Sequence, residues 1–170
     1  MKKNIPLILI LIALNFVFIT NTKAQFALGD IAFTTYNSDG TGDQFSFVLL
    51  RNVTAGEQIA FTENGWKGDG TGFRTGENTC ILTFANNYNC GAQIYISAVP
   101  FGARDESMSS AGSLTGNGLQ LSATGDQIFA YDPANLPSST DSSGFVAAIH
   151  MNGAWDADAT NTNESALPGV

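Results

Sequence analysis

A chain of 170 residues carries seven basic and fifteen acidic residues, one histidine and two cysteines, for a net charge of −8. A surface this acidic repels phosphate backbones and anionic headgroups, which excludes nucleic acid and membrane surfaces as partners. A single histidine excludes a multi-histidine metal-hydrolase centre.

The first 24 residues, MKKNIPLILILIALNFVFITNTKA, have the form of a secretory signal peptide. Lys2 and Lys3 make the positive head, Ile5 to Ile19 the apolar core, and Thr22-Lys23-Ala24 ends on a small residue. The apolar stretch runs for about 15 residues and is broken by Asn15, whereas a bilayer span needs roughly 20. Cleavage after Ala24 is therefore predicted in place of a retained anchor, with no membrane insertion afterwards and a secreted or cell-surface location. Residues 25–170 keep Arg51, Lys67, Arg74 and Arg104 against fifteen carboxylates, a net charge of −11. They suffice for one domain with a real core.

Beyond Gln25 helical periodicity is almost absent, and short alternating or apolar runs recur between Gly, Asn, Asp and Ser. Strands are predicted over 29–36, 43–50, 58–63, 79–85 and 92–98, then over 118–122, 126–132 and 144–150. Phe45, Phe47, Ile59, Phe61, Leu82, Ile94, Ile96 and Ile128 alternate with polar neighbours and are expected to be buried together. About eight such strands with turn chemistry between them predict an all-β antiparallel sandwich. Four strands open on the form Gly-x-Gln-apolar, at Gly42, Gly56, Gly91 and Gly125. Glycine ends each turn and the apolar residue begins the buried face. The stretches 101–118 and 132–143 lack periodicity and read as long loops.

Cys80 and Cys90 lack the spacing of a zinc or redox motif, and export would place them in an oxidising compartment. They are expected to form a disulfide stapling a hairpin between strands 79–85 and 92–98.

For chemistry, His150 closes the apolar run GFVAAIH, and Ser113 lies in AGSLTG, which does not fit a nucleophile elbow. No catalytic residue is assigned. Paired carboxylates such as Asp39 with Asp43, Glu63 with Asp69, or Asp105 with Glu106 are the route by which a secreted carbohydrate-active hydrolase would work. Asp156, Asp158 and Glu164 sit in an oxygen-rich acidic segment suited to a structural calcium ion, although the spacing is not that of an EF-hand. Trp66 after Glu63-Asn64-Gly65, and Trp155 after Asn152-Gly153-Ala154, could stack on a sugar ring while Asn64 and Asn152 serve its hydroxyls. Packing in the core is the competing role for both tryptophans.

The stretch from Gly29-Asp30-Ile31 through Asp43 to Val48 and Ala55 to Trp66 resembles the opening of a poorly characterised domain. That domain occurs in secreted, surface-attached proteins of Bacteroidetes-like bacteria. LSATGDQIFAYD at 121–132 and Leu167-Pro168 continue the likeness, and the same order of motifs is loosely similar to lamin-tail-like β-sandwiches. The resemblance covers most of residues 28–168 and brings no catalytic residues. It implies an accessory or adhesive module of a larger exported protein, non-catalytic, contacting a glycan or a surface protein or acting as a spacer. It also implies a truncated C-terminal end, because Leu167-Pro168-Gly169-Val170 falls in the middle of the family pattern.

Overall fold

A computed structural model describes residues 25–39, 42–151, 155 and 164–168. Residues 1–24, the expected signal segment, lie outside the described residues. Among the described residues, no helix is long and apolar enough to cross a membrane.

Nine strands form one antiparallel sheet: β1 (Ile31–Asn37), β2 (Gln44–Leu49), β3 (Gln58–Thr62), β4 (Thr79–Phe84), β5 (Gln93–Ala98), β6 (Phe101–Asp105), β7 (Ser110–Gly116), β8 (Asp126–Tyr131) and β9 (Phe145–Met151). Their order across the sheet is β1-β2-β5-β6-β7-β4-β3-β8-β9. The two outer strands approach each other, and the Gly29 N–H donates to the Val146 carbonyl at 2.9 Å. The sheet is thus nearly closed and barrel-like, with nine strands where the sequence led to about eight in two layers.

All eight of the expected inward residues lie in one buried cluster. In β4 the pattern is strict, with Cys80, Leu82 and Phe84 inward and Thr79, Ile81 and Thr83 less buried. Phe45 and Phe47 meet the Phe61 ring at centroid distances of 5.0 and 5.1 Å, the close aromatic packing expected of a barrel interior. β8 is buried along its whole length. Ile128 and Ala130 face the barrel interior, while Phe129 joins a second cluster with Trp66, Phe145 and Ala166.

Two departures from the expected strands have clear causes. The expected loop at 101–118 contains the β6–β7 hairpin. Its residues, FGARD and SAGSLTG, carry few branched or aromatic side chains, so the strand signal is weak. Gly112 shows why small residues stand there: a Cβ at this position would collide with the Thr83 carbonyl on the neighbouring β4. The expected strand 118–122 is irregular, although Leu119 and Leu121 are buried as its alternation demands.

The expected disulfide is absent, and both cysteines are free. The β6–β7 hairpin sits between β4 and β5, so 79–85 and 92–98 are not a hairpin pair. Cys80 points into the core, whereas Cys90 is exposed in the turn before β5. Burial pushes the Cys80 thiol up to about 12.

Candidate functional site

The loop after β3 brings Asn64, Gly65 and Trp66 to the outside of β8 and β9. Asn64 is buried and clamps the loop, its amide donating to the Thr62 hydroxyl at 2.9 Å and to the Glu77 carbonyl at 3.1 Å. Its carbonyl oxygen accepts from the Glu77 N–H at 3.1 Å. Trp66 is 4% exposed, edge-on to Phe73 at 5.2 Å and to Phe145 at 5.0 Å. Its backbone N–H donates to the Ser165 hydroxyl, and its backbone carbonyl accepts from the Ala166 N–H, both at 2.9 Å. The Glu164 carbonyl packs so tightly on Gly65 that no side chain would fit there. Trp155 is half-buried against Phe129 at 5.5 Å and His150 at 5.2 Å. These residues therefore knit the 164–168 segment onto the barrel wall, and Trp66 offers no open ring face. Asn152, Asp156 and Asp158 lie outside the described residues. Among the described residues, no group of three or more His, Cys, Asp or Glu side chains could hold a metal ion.

A different set of acids converges at one end of the barrel. Glu63 follows β3, Asp43 precedes β2, and Asp126 opens β8. Each accepts from one of three successive backbone N–H groups: Gln120 to Glu63 at 2.5 Å, Leu121 to Asp43 at 2.8 Å, and Ser122 to Asp126 at 2.9 Å. The second oxygen of Glu63 takes the Asn78 N–H at 3.0 Å, and that of Asp126 takes the Gln127 N–H at 2.9 Å. The Gln127 side-chain amide donates to the Glu63 carbonyl. Segment 118–122 has strand-like alternation without a strand partner, and side-chain carboxylates satisfy its N–H groups instead.

Burial pushes Glu63 up to about 7, with Asp126 and Asp43 adding to the rise and the two N–H donors opposing it. Burial likewise raises Asp126 to about 6 against the Ser122 and Gln127 donors, and Asp43 contributes. The expected pairs of Glu63 with Asp69 and Asp39 with Asp43 do not describe this group, because Asp39 and Asp69 are exposed. The signal was present as Gly42-Asp43 and Gly125-Asp126, two of the repeated strand starts, but sequence spacing says nothing about which starts meet.

The open site lies elsewhere, on β5, β6 and β7. A cleft of about 910 Å³ is lined by Gln44, Tyr95, Phe101, Arg104, Met108 and Ser110 among others. Tyr95 and Arg104 are directly opposed in the β5–β6 register, so they share a face. Tyr95 is 36%, Phe101 38% and Met108 60% exposed. The hairpin tip is fastened by Asp105, which accepts from the N–H groups of Ser107 at 2.9 Å and Ser109 at 3.1 Å. Met108 at this tip has φ 63°, the left-handed region that a branched-chain or long L-residue adopts only at a cost. Two exposed aromatic rings, a guanidinium and planar amide and hydroxyl groups can stack on a sugar ring and hydrogen-bond its hydroxyls. This face was missed from sequence because 101–118 gave no strand period to align its residues.

No family model, no curated protein and no solved structure matches this chain.

Proposed function

We propose that the chain is a non-catalytic extracellular module, exported by its signal segment and working at the cell surface as part of a larger protein. We infer further that it holds a glycan in the β5–β7 cleft. The observation that carries this reading is that exposed Tyr95, Phe101 and Met108 line one cleft with Arg104, Met108 in a costly backbone conformation. The polar and aromatic groups near Trp66 are, by contrast, consumed in holding the fold. The resemblance to lamin-tail-like sandwiches fits the same reading, since a sandwich whose layers join at their sides has the strand order of a flattened barrel.

The test is a glycan array with the full secreted protein, with and without a chelator. Binding should persist in chelator and fall at least tenfold for Tyr95→Ala and Phe101→Ala. Undiminished binding by both variants would place recognition elsewhere and overturn the assignment.

A hydrolase using paired carboxylates is the second reading, favoured by the tightened hold of Glu63 and Asp126 on their protons. Both side chains lie under segment 118–122, with residue exposures of 1% and 0%, so a sugar reaches them only when that segment is displaced. Release of reducing sugar by the wild type and not by Glu63→Gln would establish it.

A further inference from the structure

Residues 117–125 cross one end of the barrel outside the nine strands. Leu119 and Leu121 are its apolar anchors, 3% and 5% exposed. Its backbone is held by Glu63, Asp43 and Asp126 through the N–H groups of residues 120, 121 and 122. Clefts flank it on both sides, one of about 630 Å³ lined by Asp43, Asn78 and Gln120, the other of about 390 Å³ lined by Tyr36, Ser122 and Gly125. We propose that this segment is a proton-responsive strap, closed over the barrel end while Glu63 or Asp126 beneath it holds a proton and loosened once both are charged.

The geometry makes the three acids interdependent. They come from three separate elements and meet under one segment, so Asp43 raises the cost of charge on Glu63 and Asp126, and Asp126 adds to it at Glu63. The groups facing them are Tyr36 from β1, Cys80 from β4 and the three acids themselves. Tyr36 is raised by burial and by all three carboxylates, and the Cys80 thiol by burial and Glu63. His150 on β9 stands opposite Gln127 in register, one residue from Asp126. The strongest influences on Glu63 and Asp126 are burial, backbone N–H donors and other acids, with no base among them.

The sign follows from linkage. With the strap closed, Glu63 and Asp126 titrate near 7 and 6. With the strap lifted and the acids in water, both return towards ordinary carboxylate values near 4. The closed form therefore binds more protons between roughly pH 4 and 7, and proton uptake favours closure. Closure is strongest on the acid side of that window and is lost as pH rises through 6 to 7. A protonated acid still accepts through its carbonyl oxygen, so the N–H bonds are thinned and not abolished on the acid side.

The test is residue-resolved amide exchange on the full secreted protein between pH 5 and 8, expressed as protection relative to each residue's intrinsic rate. Protection at Gln120, Leu121 and Ser122 should fall roughly tenfold or more as pH rises across this range and should stay below that of β4 at every pH, because the strap opens without the wall. In Glu63→Gln the strap's protection should lose most of its pH dependence. If that variant does not fold, the carboxyl carbon resonance of Glu63 in the wild type serves instead, and it should titrate in step with strap protection. Strap protection that is flat with pH, or that equals that of β4 at every pH, overturns the proposal.

Discussion

The guanidinium of Arg51 lies 4.3 Å from the centre of the Phe26 ring, capping the first core residue of the described chain. The same group donates to Asp30 at 2.8 Å and to Glu57 at 2.6 Å, and Glu57 is 2% exposed. Burial pushes Glu57 up, but the Arg51 and Thr54 donors overcome it and hold the carboxyl below its ordinary range. Arg51→Met would strand a buried charge, and a loss of about 2–4 kcal/mol in urea denaturation is expected. A change under about 0.5 kcal/mol would mean the pair behaves like an exposed surface pair.

Met108→Gly should act in opposite directions on stability and recognition. Glycine relieves the left-handed backbone at φ 63°, and a gain of about 1 kcal/mol is expected in thermal or chemical unfolding. Glycan binding should weaken because the exposed thioether leaves the cleft. A variant that is destabilised would show that the Met108 side chain contributes more packing than its exposure suggests.

Gly112→Ala places a methyl group against the Thr83 backbone, with no flexible side chain to move aside. The β4–β7 ladder must shift, and a cost of about 3 kcal/mol is expected. Unchanged stability would require the two strands to sit farther apart than described.

Thiol titration should find one reactive group, Cys90, in the native protein, and two after denaturation. Reductant should leave the unfolding midpoint unchanged, since Cys80 is buried and neither cysteine is bonded. A reductant-sensitive midpoint would restore the disulfide.

Thermal stability should peak near pH 5. Glu63 and Asp126 are raised on folding, so their contribution is present at low pH and lost as pH rises through 6 to 7. Glu57 is lowered, so its contribution is present above about 4.5 and lost as pH falls below that value. A midpoint that rises steadily from pH 5 to 8 would reverse the assigned directions.

Where two-residue alternation coincided with branched and aromatic residues, the strands were legible in sequence. Phe45-Ser46-Phe47 and Ile94-Tyr95-Ile96 lie where that period puts them. The β6–β7 hairpin was hidden because close strand approach selects Gly, Ala and Ser, the residues that also mark loops. The alternation at Leu119 and Leu121 was real, but it reports burial and not ladder pairing. Pairing was the least visible property. The disulfide expectation assumed that 79–85 and 92–98 are neighbours, yet two later strands are inserted between them. Trp66 and Asn64 were found as unusual residues, but their chemistry serves the packing of a loop, while Tyr95 and Arg104 come together only once β5 and β6 are aligned.

Parity governs how this ring is joined. Each neighbour in the sheet reverses direction, and the series β1 to β9 contains an odd number of strands, so the first and last run the same way. The joint crossed by the Gly29–Val146 bond cannot repeat the antiparallel ladders found everywhere else around the wall. It is the one place where the ring can part without breaking an antiparallel ladder, and the two strands it would free are those nearest the ends of the chain.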